Sequence, residues 1–221
     1  MPKSWKIGAD TNRAQKKAAT RQRILDAAKE LFDQKGFYET TTAEIAKAAQ
    51  VSPGSIYAHF GSPGNIMAHL HIKLMTLRTA YLAELRESWP KDRTYWDLLM
   101  LMLEEIWGLN EKALQIENIC AYHSWCWICD LDDYSPPRET YAPLFDELIL
   151  TIDAARENGE LGHAMESSMA VEIMAAACLQ GIQEARLGRE IHLQQFERFV
   201  EKVHAIFSVE KPSDAKVAQI S

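Results

Sequence analysis

The chain has 221 residues, of which 47% are hydrophobic and 25% charged, and its formal net charge is −7. This composition suits one or two soluble globular domains, and no apolar run approaches the roughly 18 residues that a membrane span needs. The first residues lack the apolar core of a secretory signal, so we expect a cytoplasmic protein whose 4 cysteines are free thiols.

The charge is distributed unevenly along the chain. Residues 1–75 contain 11 Lys and Arg against 6 Asp and Glu, a net of +5, which leaves −12 for the remainder. A basic end on an acidic body is typical of a protein that approaches phosphate with that end. Several cations precede or open the first predicted helix: Arg13, Lys16, Lys17, Arg21 and Arg23. Two interpretations fit residues 1–19, a basic arm that neutralises phosphates or enters a minor groove, and a solvated, disordered terminus.

The first predicted helix follows this basic segment. Its apolar residues form a stripe at helical spacing, namely Ile24, Ala27, Ala28, Leu31 and Phe32. Thr20 is the expected N-cap, and Gly36 is the expected glycine after the last turn.

Two shorter helices with strong start signals come next. Thr41 and Glu44 have the spacing of a capping box, in which each side chain bonds the backbone N–H of the other residue. After a short turn, Ser52 is the expected N-cap of a helix that Pro53 opens, because proline fits a first helical position. The spacing predicts a helix-turn-helix.

The second of these helices has one inward and one outward side. Ile56 and Phe60 are four residues apart and face inward. The residues left at its N-terminal end and outer side, where a recognition helix meets the major groove, are Pro53, Gly54, Ser55, Tyr57, Ala58 and His59. We therefore interpret residues 20–66 as a three-helix DNA-binding domain; the alternative is a plain piece of helical core.

The segment GFYETTTAEIAKAAQVSPGSIYAHF, residues 36–60, resembles the DNA-binding signature of the TetR (tetracycline-repressor-like) transcriptional regulators. The resemblance is close over about residues 20–70. It implies contacts to phosphates or to the groove from Thr41, Thr42, Ser52, Pro53, Gly54, Ser55, Tyr57 and His59, and we add Lys16, Lys17 and Arg21 from the basic segment.

Three positions depart from the usual pattern of that family. Gln50 stands where glycine is common, so the turn requires a non-glycine residue at positive φ. Ala43 replaces a residue that is often longer and polar. Ser62-Pro63-Gly64 replaces a common Ser-Lys-Glu, which leaves Ser62 and the free N–H groups of the next helix to face a phosphate.

The rest of the chain reads as further helices, which makes the predicted fold all-α. The predicted helices span about 62–88, 92–109, 110–132, 138–158, 167–187 and 189–207, and no segment alternates convincingly as a strand. We expect residues 67–209 to form a helical ligand-binding and dimerisation domain and residues 210–221 to form a flexible tail.

The last two predicted helices are the candidate dimer surface. The first is apolar around much of its circumference, and the resemblance implies that two copies pair through these helices into a four-helix bundle. The expected interface residues are Met174, Ala177, Cys178, Gly181, Phe196, Phe199 and Val203. A two-fold dimer predicts a pseudo-palindromic operator. The alternative is that these residues form the core of a single chain.

Aromatic residues concentrate in the middle helices, where the family keeps its inducer pocket. The candidate ligand contacts are Trp96, Trp107, Tyr122, His123 and Trp127, and rings of this kind suit an apolar or aromatic small molecule. The alternative is that these rings only pack the helical core.

Cys120, His123, Cys126 and Cys129 recur at three-residue steps along one drifting face of a predicted helix. They suggest a redox- or metal-responsive regulator, or a helical thiol enzyme, as alternatives. Because one helix usually offers only two ligands to a metal, packing as small hydrophobic residues is favoured.

The overall prediction is a homodimeric DNA-binding regulator, a repressor that a small-molecule inducer releases from a palindromic operator. We expect no catalytic residue, cofactor, metal site or membrane partner.

Overall fold

In the computed structural model, the described residues are 5–107, 137–186 and 192–207. They form α1 (Trp5–Lys35), α2 (Thr42–Ala48), α3 (Pro53–Phe60), α4 (Pro63–Glu87), α5 (Tyr95–Trp107), α6 (Pro137–Glu157), α7 (Ser167–Arg186) and α8 (His192–Phe207), and no strand occurs among them. The all-α prediction is confirmed, and the predicted ends of α4 to α8 lie within three residues of those found. The helix predicted over residues 110–132 lies outside the described residues.

The described residues divide into two compact units, the head up to Leu74 and the body from Met75 onward. The division falls inside α4, so this helix contributes residues to both units. No helix in the described ranges combines the length and the apolar character that crossing a bilayer requires.

The first helix is longer than the sequence predicts. It begins at Trp5, which makes the expectation that Thr20 is an N-cap wrong, since Thr20 lies in the helix interior. Residues 14–19, AQKKAA, are strong helix formers and explain the extension. The predicted end is confirmed: Gly36 adopts a φ of 86°, and its N–H donates to the carbonyl of Phe32 at 2.9 Å.

The capping box at the start of α2 is confirmed. The N–H of Glu44 donates to Thr41 Oγ1 at 3.3 Å, and the N–H of Thr41 donates to Glu44 Oε2 at 2.9 Å. Lys35 Nζ, at the end of α1, lies 2.6 Å from Glu44 Oε1. The same carboxylate therefore starts α2 and ties that helix to α1.

The turn between α2 and α3 has the strained residue that the sequence predicts. Gln50 has a φ of 55°, in the left-handed region where glycine is favoured. Ser52 then caps α3, and its Oγ accepts from the N–H of Ser55 at 3.2 Å with Pro53 in the first helical turn. Ile45 of α2 and Ile56 of α3 are fully buried and pack the two helices into the head.

The core of the body is built around one indole ring. Trp107, at the end of α5, is 1% exposed and stacks on Phe199 with ring centroids 5.0 Å apart. Phe196 also contacts this ring, at 5.5 Å. Gly181 of α7 lies against the indole, and a Cβ built there would come within 2.4 Å of Trp107 Cη2.

Arg156 fixes the connection between α6 and α7. This buried guanidinium donates to the carbonyls of Gly162 at 3.0 Å and Met165 at 2.7 Å, and to Ser167 Oγ at 2.6 Å. Ser167 in turn hydrogen-bonds Asp153. Every nitrogen of the buried charge has a partner, which is the condition under which a protein tolerates such burial.

The packing of the body bears on the candidate dimer residues. Met174, Phe196, Phe199 and Val203 are buried within a single chain, and Gly181 serves contact with Trp107. Among the described side chains of α7, the large apolar ones that stay exposed are Met169, Ile173 and Leu179.

Gly181→Ala tests the contact with Trp107. In an open helical position this change stabilises a protein by up to about 1 kcal/mol, whereas overpacking a core costs about 1–3 kcal/mol. Because the indole is buried and cannot move aside, we expect the variant to be destabilised by about 1–2 kcal/mol in urea unfolding. Gly162→Ala is the control, since a Cβ there meets nothing within 4 Å. A stabilised Gly181→Ala variant would contradict the packing.

Glu44→Gln tests the capping box through its pH dependence. Hydrogen bonds from Lys35 and then Thr41 lower the pKa of Glu44 from 4.5 to about 2. Since the folded pKa is depressed, the carboxylate stabilises the head above its unfolded pKa, and that stabilisation is lost as the pH falls from about 4.5 through about 2. We expect the wild type to exceed the variant in stability most at neutral pH, with the gap closing across this window in urea titrations followed by circular dichroism.

The control for this measurement is Glu39→Gln, which changes an exposed carboxylate in the loop before α2. Its difference from wild type should stay small at every pH. A gap for Glu44→Gln that does not change with pH would show that the charge of the carboxylate is not what stabilises the head.

Candidate nucleic-acid interface

The third helix presents a polar and aromatic side to solvent. Ile56 and Phe60 are buried, while Pro53, Gly54, Tyr57 and Ala58 are exposed, in agreement with the predicted inward and outward sides. At the N-terminus of α3, Gly54 is exposed, and its lack of a side chain permits close approach of another backbone. This side of α3 has the shape and the donors that a major groove accepts.

Tyr57 is the most prominent side chain of this surface. Its side chain is 54% exposed although it sits in a helix whose neighbours at 56 and 60 are buried. A phenol in this position can donate a hydrogen bond to a phosphate while its ring covers the helix beneath.

The hydroxyl groups predicted to contact DNA already serve the helix starts. Ser52 Oγ lies 2.9 Å from Ser55 Oγ, and Thr41 Oγ1 donates to Glu44 Oε2 at 2.7 Å. Ser52 and Thr41 are exposed, whereas Thr42 and Ser55 are half-buried. A hydroxyl has one proton and two acceptor sites, so these groups bring a limited remaining capacity to a second partner.

Two further predicted contacts are turned partly inward. His59 is half-buried, and its Nδ1 is buried without a hydrogen-bond partner in the described part of the chain. Ser62 is half-buried and bonds Asn65 twice, since its Oγ donates to Asn65 Oδ1 at 2.9 Å and accepts from the Asn65 N–H at 3.2 Å. Ser62 is thus the N-cap of α4.

The cations of α1 differ in their surroundings. Arg13, Lys16 and Lys17 are exposed on the helical extension. Arg13 and Lys17 stand 11 and 7 residues before Ile24, which places them on the side of α1 that is buried farther along the helix. Arg21 instead is half-buried and donates to the carbonyl of His59, at the C-terminal end of α3.

The candidate ligand contacts are only partly described. Trp107 belongs to the core of the body, and Trp96 is half-buried beside His204 and Phe207, with ring centroids 5.0 and 6.1 Å away. The other ligand candidates, Tyr122, His123 and Trp127, lie outside the described residues, as do Cys120, Cys126 and Cys129.

The amino-acid pattern alone did not point to one polar pair in the body, Arg78 and Cys178. Arg78 interrupts the apolar stripe of α4 between Met75 and Leu82, and its Nη1 donates to the carbonyl of Ile106 at 3.2 Å. Burial lowers the pKa of Arg78 and raises the pKa of nearby Cys178 to about 12. Cys178 is therefore a neutral thiol at physiological pH. An arginine at a stripe position was the available signal for this site.

The sequence of the head matches a known family model. Residues 24–67 match the model described as "Bacterial regulatory proteins, tetR family". The HTH-type transcriptional regulator AcrR of Shigella flexneri is 47% identical over 51 residues, which are 23% of this chain and 24% of that protein. The sequence matches thus cover only about a quarter of the length of such relatives.

Solved structures with the same fold extend over most of the chain. Reduced NemR of E. coli aligns with a TM-score of 0.64 at 20% identity, covering 88% of this chain and 99% of that one. FadR of Thermus thermophilus, solved in complex with lauroyl-CoA, aligns with a TM-score of 0.59 at 20% identity over 87% and 97% of the two chains.

The capped helix-turn-helix and the match of its sequence lead to one assignment: residues 24–67 form a DNA-binding domain of the tetR family of bacterial regulatory proteins, within a chain that shares its helical fold with the solved structures.

Proposed function

We propose that this protein is a homodimeric transcriptional repressor that binds operator DNA and is released by a small-molecule ligand. The observation that carries the proposal is the structure of α3. Ser52 caps this helix, and its outer side exposes Tyr57 next to Gly54, which has no side chain. This is the arrangement with which a helix-turn-helix enters a major groove.

The proposed DNA contacts divide by chemistry. Tyr57 and the hydroxyls of Thr41, Thr42 and Ser62 are assigned to phosphates, while the base edges face residues 52–55 and His59. The exposed cations Lys16 and Lys17 are assigned to phosphates outside the half-site that α3 reads. Because phosphate contacts fix position and base contacts carry sequence information, specificity resides in α3.

The proposed dimer uses the outer face of α7. Met169 and Ile173 are one helical turn apart and are 54% and 42% exposed, and Leu179 continues the same apolar face. Ala177 is half-buried at its margin, whereas Cys178, which is also half-buried, lies on the side of the helix near Arg78. Exposed apolar side chains at this spacing are typical of a helix that pairs with a second copy, and two-fold pairing gives two copies of α3 in one complex.

The proposed inducer site is in the body. Trp96 is half-buried among His204 and Phe207, a setting that suits an apolar or aromatic ligand. A fold neighbour holds lauroyl-CoA, a ligand with a long apolar chain. Release follows from a population shift: a ligand that prefers a state with misplaced heads weakens operator binding by the ratio of its affinities for the two states.

Selection of bound sequences from a random duplex pool tests the proposed function directly. The full-length protein is used at a fixed moderate salt concentration, because phosphate contacts make affinity steeply salt-dependent. We expect enrichment of a pseudo-palindrome whose half-sites lie about one helical turn, or a multiple of it, apart. Enrichment of a single asymmetric site would contradict the dimer, and a pool that stays random would contradict operator binding.

Tyr57→Ala tests the assigned phosphate contact. Loss of a hydrogen bond to a charged group costs about 1.5–3 kcal/mol, so we expect operator affinity to fall at least about tenfold while the dimer stays folded. Tyr38→Ala is a matched control, since Tyr38 also belongs to the head and is 53% exposed. Equal affinities for the Tyr57→Ala variant and the wild type, at the same salt concentration, would remove Tyr57 from the interface.

A further inference from the structure

Arg21 stands apart from the other cations of α1. It is half-buried, whereas Lys16, Lys17, Gln22 and Arg23 around it are exposed. The spacing explains this difference, because Arg21 lies three residues before Ile24 and seven before Ala28, both of which are fully buried. Its side chain therefore points along the inner side of α1, between α1 and the rest of the head.

The guanidinium of Arg21 is engaged in three directions. One terminal nitrogen, Nη1, donates to the carbonyl of His59, and the other, Nη2, lies within hydrogen-bond distance of His69 Nε2. The flat face of the group lies over the ring of Phe60, 4.1 Å from its centroid. The rings of Phe60 and His69 meet edge to face at 5.6 Å. Arg21 thus joins α1 to the end of α3 and to α4.

The chemistry of these contacts suits a cation at this place. The last carbonyls of a helix have no partner within the helix, and the C-terminal end of the helix dipole favours positive charge. The face of Phe60 attracts the cation as well. Since a guanidinium has donors only, His69 Nε2 acts as the acceptor, and the ring is neutral.

We infer that Arg21 is a positioning residue that fixes the C-terminal end of α3, and that it does not contact a phosphate. This inference rests on the proposed function, because it assigns how the DNA-reading helix is held. Only an arginine can make these hydrogen bonds and the ring contact at the same time. A planar fork offers two donors and a stacking face at once, whereas a lysine offers one compact charge.

Two variants separate positioning from phosphate binding in operator titrations over a range of salt concentrations. Arg21→Lys keeps the charge, so a phosphate contact would survive, but it loses the fork and the stacking. We expect its affinity to fall at least about tenfold. Arg21→Gln removes the charge, and we expect its salt dependence to keep the wild-type slope; loss of one phosphate contact would reduce that slope by about 0.9.

The matched control is Lys35→Gln. Lys35 also forms a charged contact from α1 to another helix of the head, but its partner Glu44 belongs to α2. We expect this variant to lose stability without losing operator affinity at a temperature where it is folded. Equal losses of affinity for Lys35→Gln and Arg21→Lys would reduce Arg21 to a general stabiliser and overturn the inference.

Hydrogen exchange of the full chain gives a readout that does not need DNA. We expect the amides of residues 54–62 to exchange several-fold faster in Arg21→Lys than in wild type, and to be unchanged in Lys35→Gln. His69→Leu, which keeps Arg21 and removes one acceptor, should change the same segment in the same direction and serves if Arg21→Lys unfolds the head.

The outcomes distinguish the positioning role of Arg21 from the proposed function. Faster exchange in residues 54–62 in a chain that binds no DNA would refute the proposed function and keep the positioning role. Wild-type exchange in both the Arg21→Lys and the His69→Leu variants, or wild-type affinity in Arg21→Lys, would overturn the positioning role itself.

Discussion

Between α2 and α3 the backbone passes through the left-handed region at Gln50, and the direction in which α3 leaves this turn decides which of its side chains face water. A non-glycine residue at such a φ costs about 1 kcal/mol or more. The strain persists because both neighbouring helix starts are capped, by Thr41 with Glu44 and by Ser52, and each cap contributes about 1 kcal/mol. Burial of Ile45 on α2 and Ile56 on α3 then favours the angle that the turn sets.

The body follows a different rule, in which one large ring organises the helices around it. Trp107 stacks on Phe199, contacts Phe196 at a tilt and lies against the backbone of Gly181. This arrangement buries apolar side chains of α7 and α8 within a single chain. On the far side of α7, Met169 and Ile173 stay exposed, and the proposed dimer depends on them. One side of α7 therefore packs in the interior of the body, and the other side forms the proposed interface.

The sequence predicted those features that depend on neighbours within a few residues. The capping box at Thr41, the cap at Ser52, the glycine after Lys35 and the strained Gln50 all follow from local chemistry, and all are confirmed. The start of α1 was mispredicted because Thr20 has the chemistry of a cap but is preceded by helix formers that continue the helix.

Features that depend on residues far apart in the chain could not be predicted from local sequence patterns. Periodicity reveals that Phe199 is apolar and on one face, but not whether that face meets Trp107 or a second copy. Charge reveals that Arg21 is basic, but its carbonyl and ring partners are 38 to 48 residues away in the sequence. For the predicted DNA contacts and ligand contacts, the sequence supplies the residue types but not the neighbours that each side chain has in the fold.

The helical form of α1 limits how its basic extension can meet a duplex. An α-helix with its side chains is about 10–12 Å wide, whereas the minor groove of B-DNA is about 6 Å wide. The extension that includes Arg13, Lys16 and Lys17 therefore cannot thread into that groove as an extended arm would. In the proposed complex, a rod of this width would lie across the rims of the groove, where its cations would meet phosphates and carry no information about the bases between them.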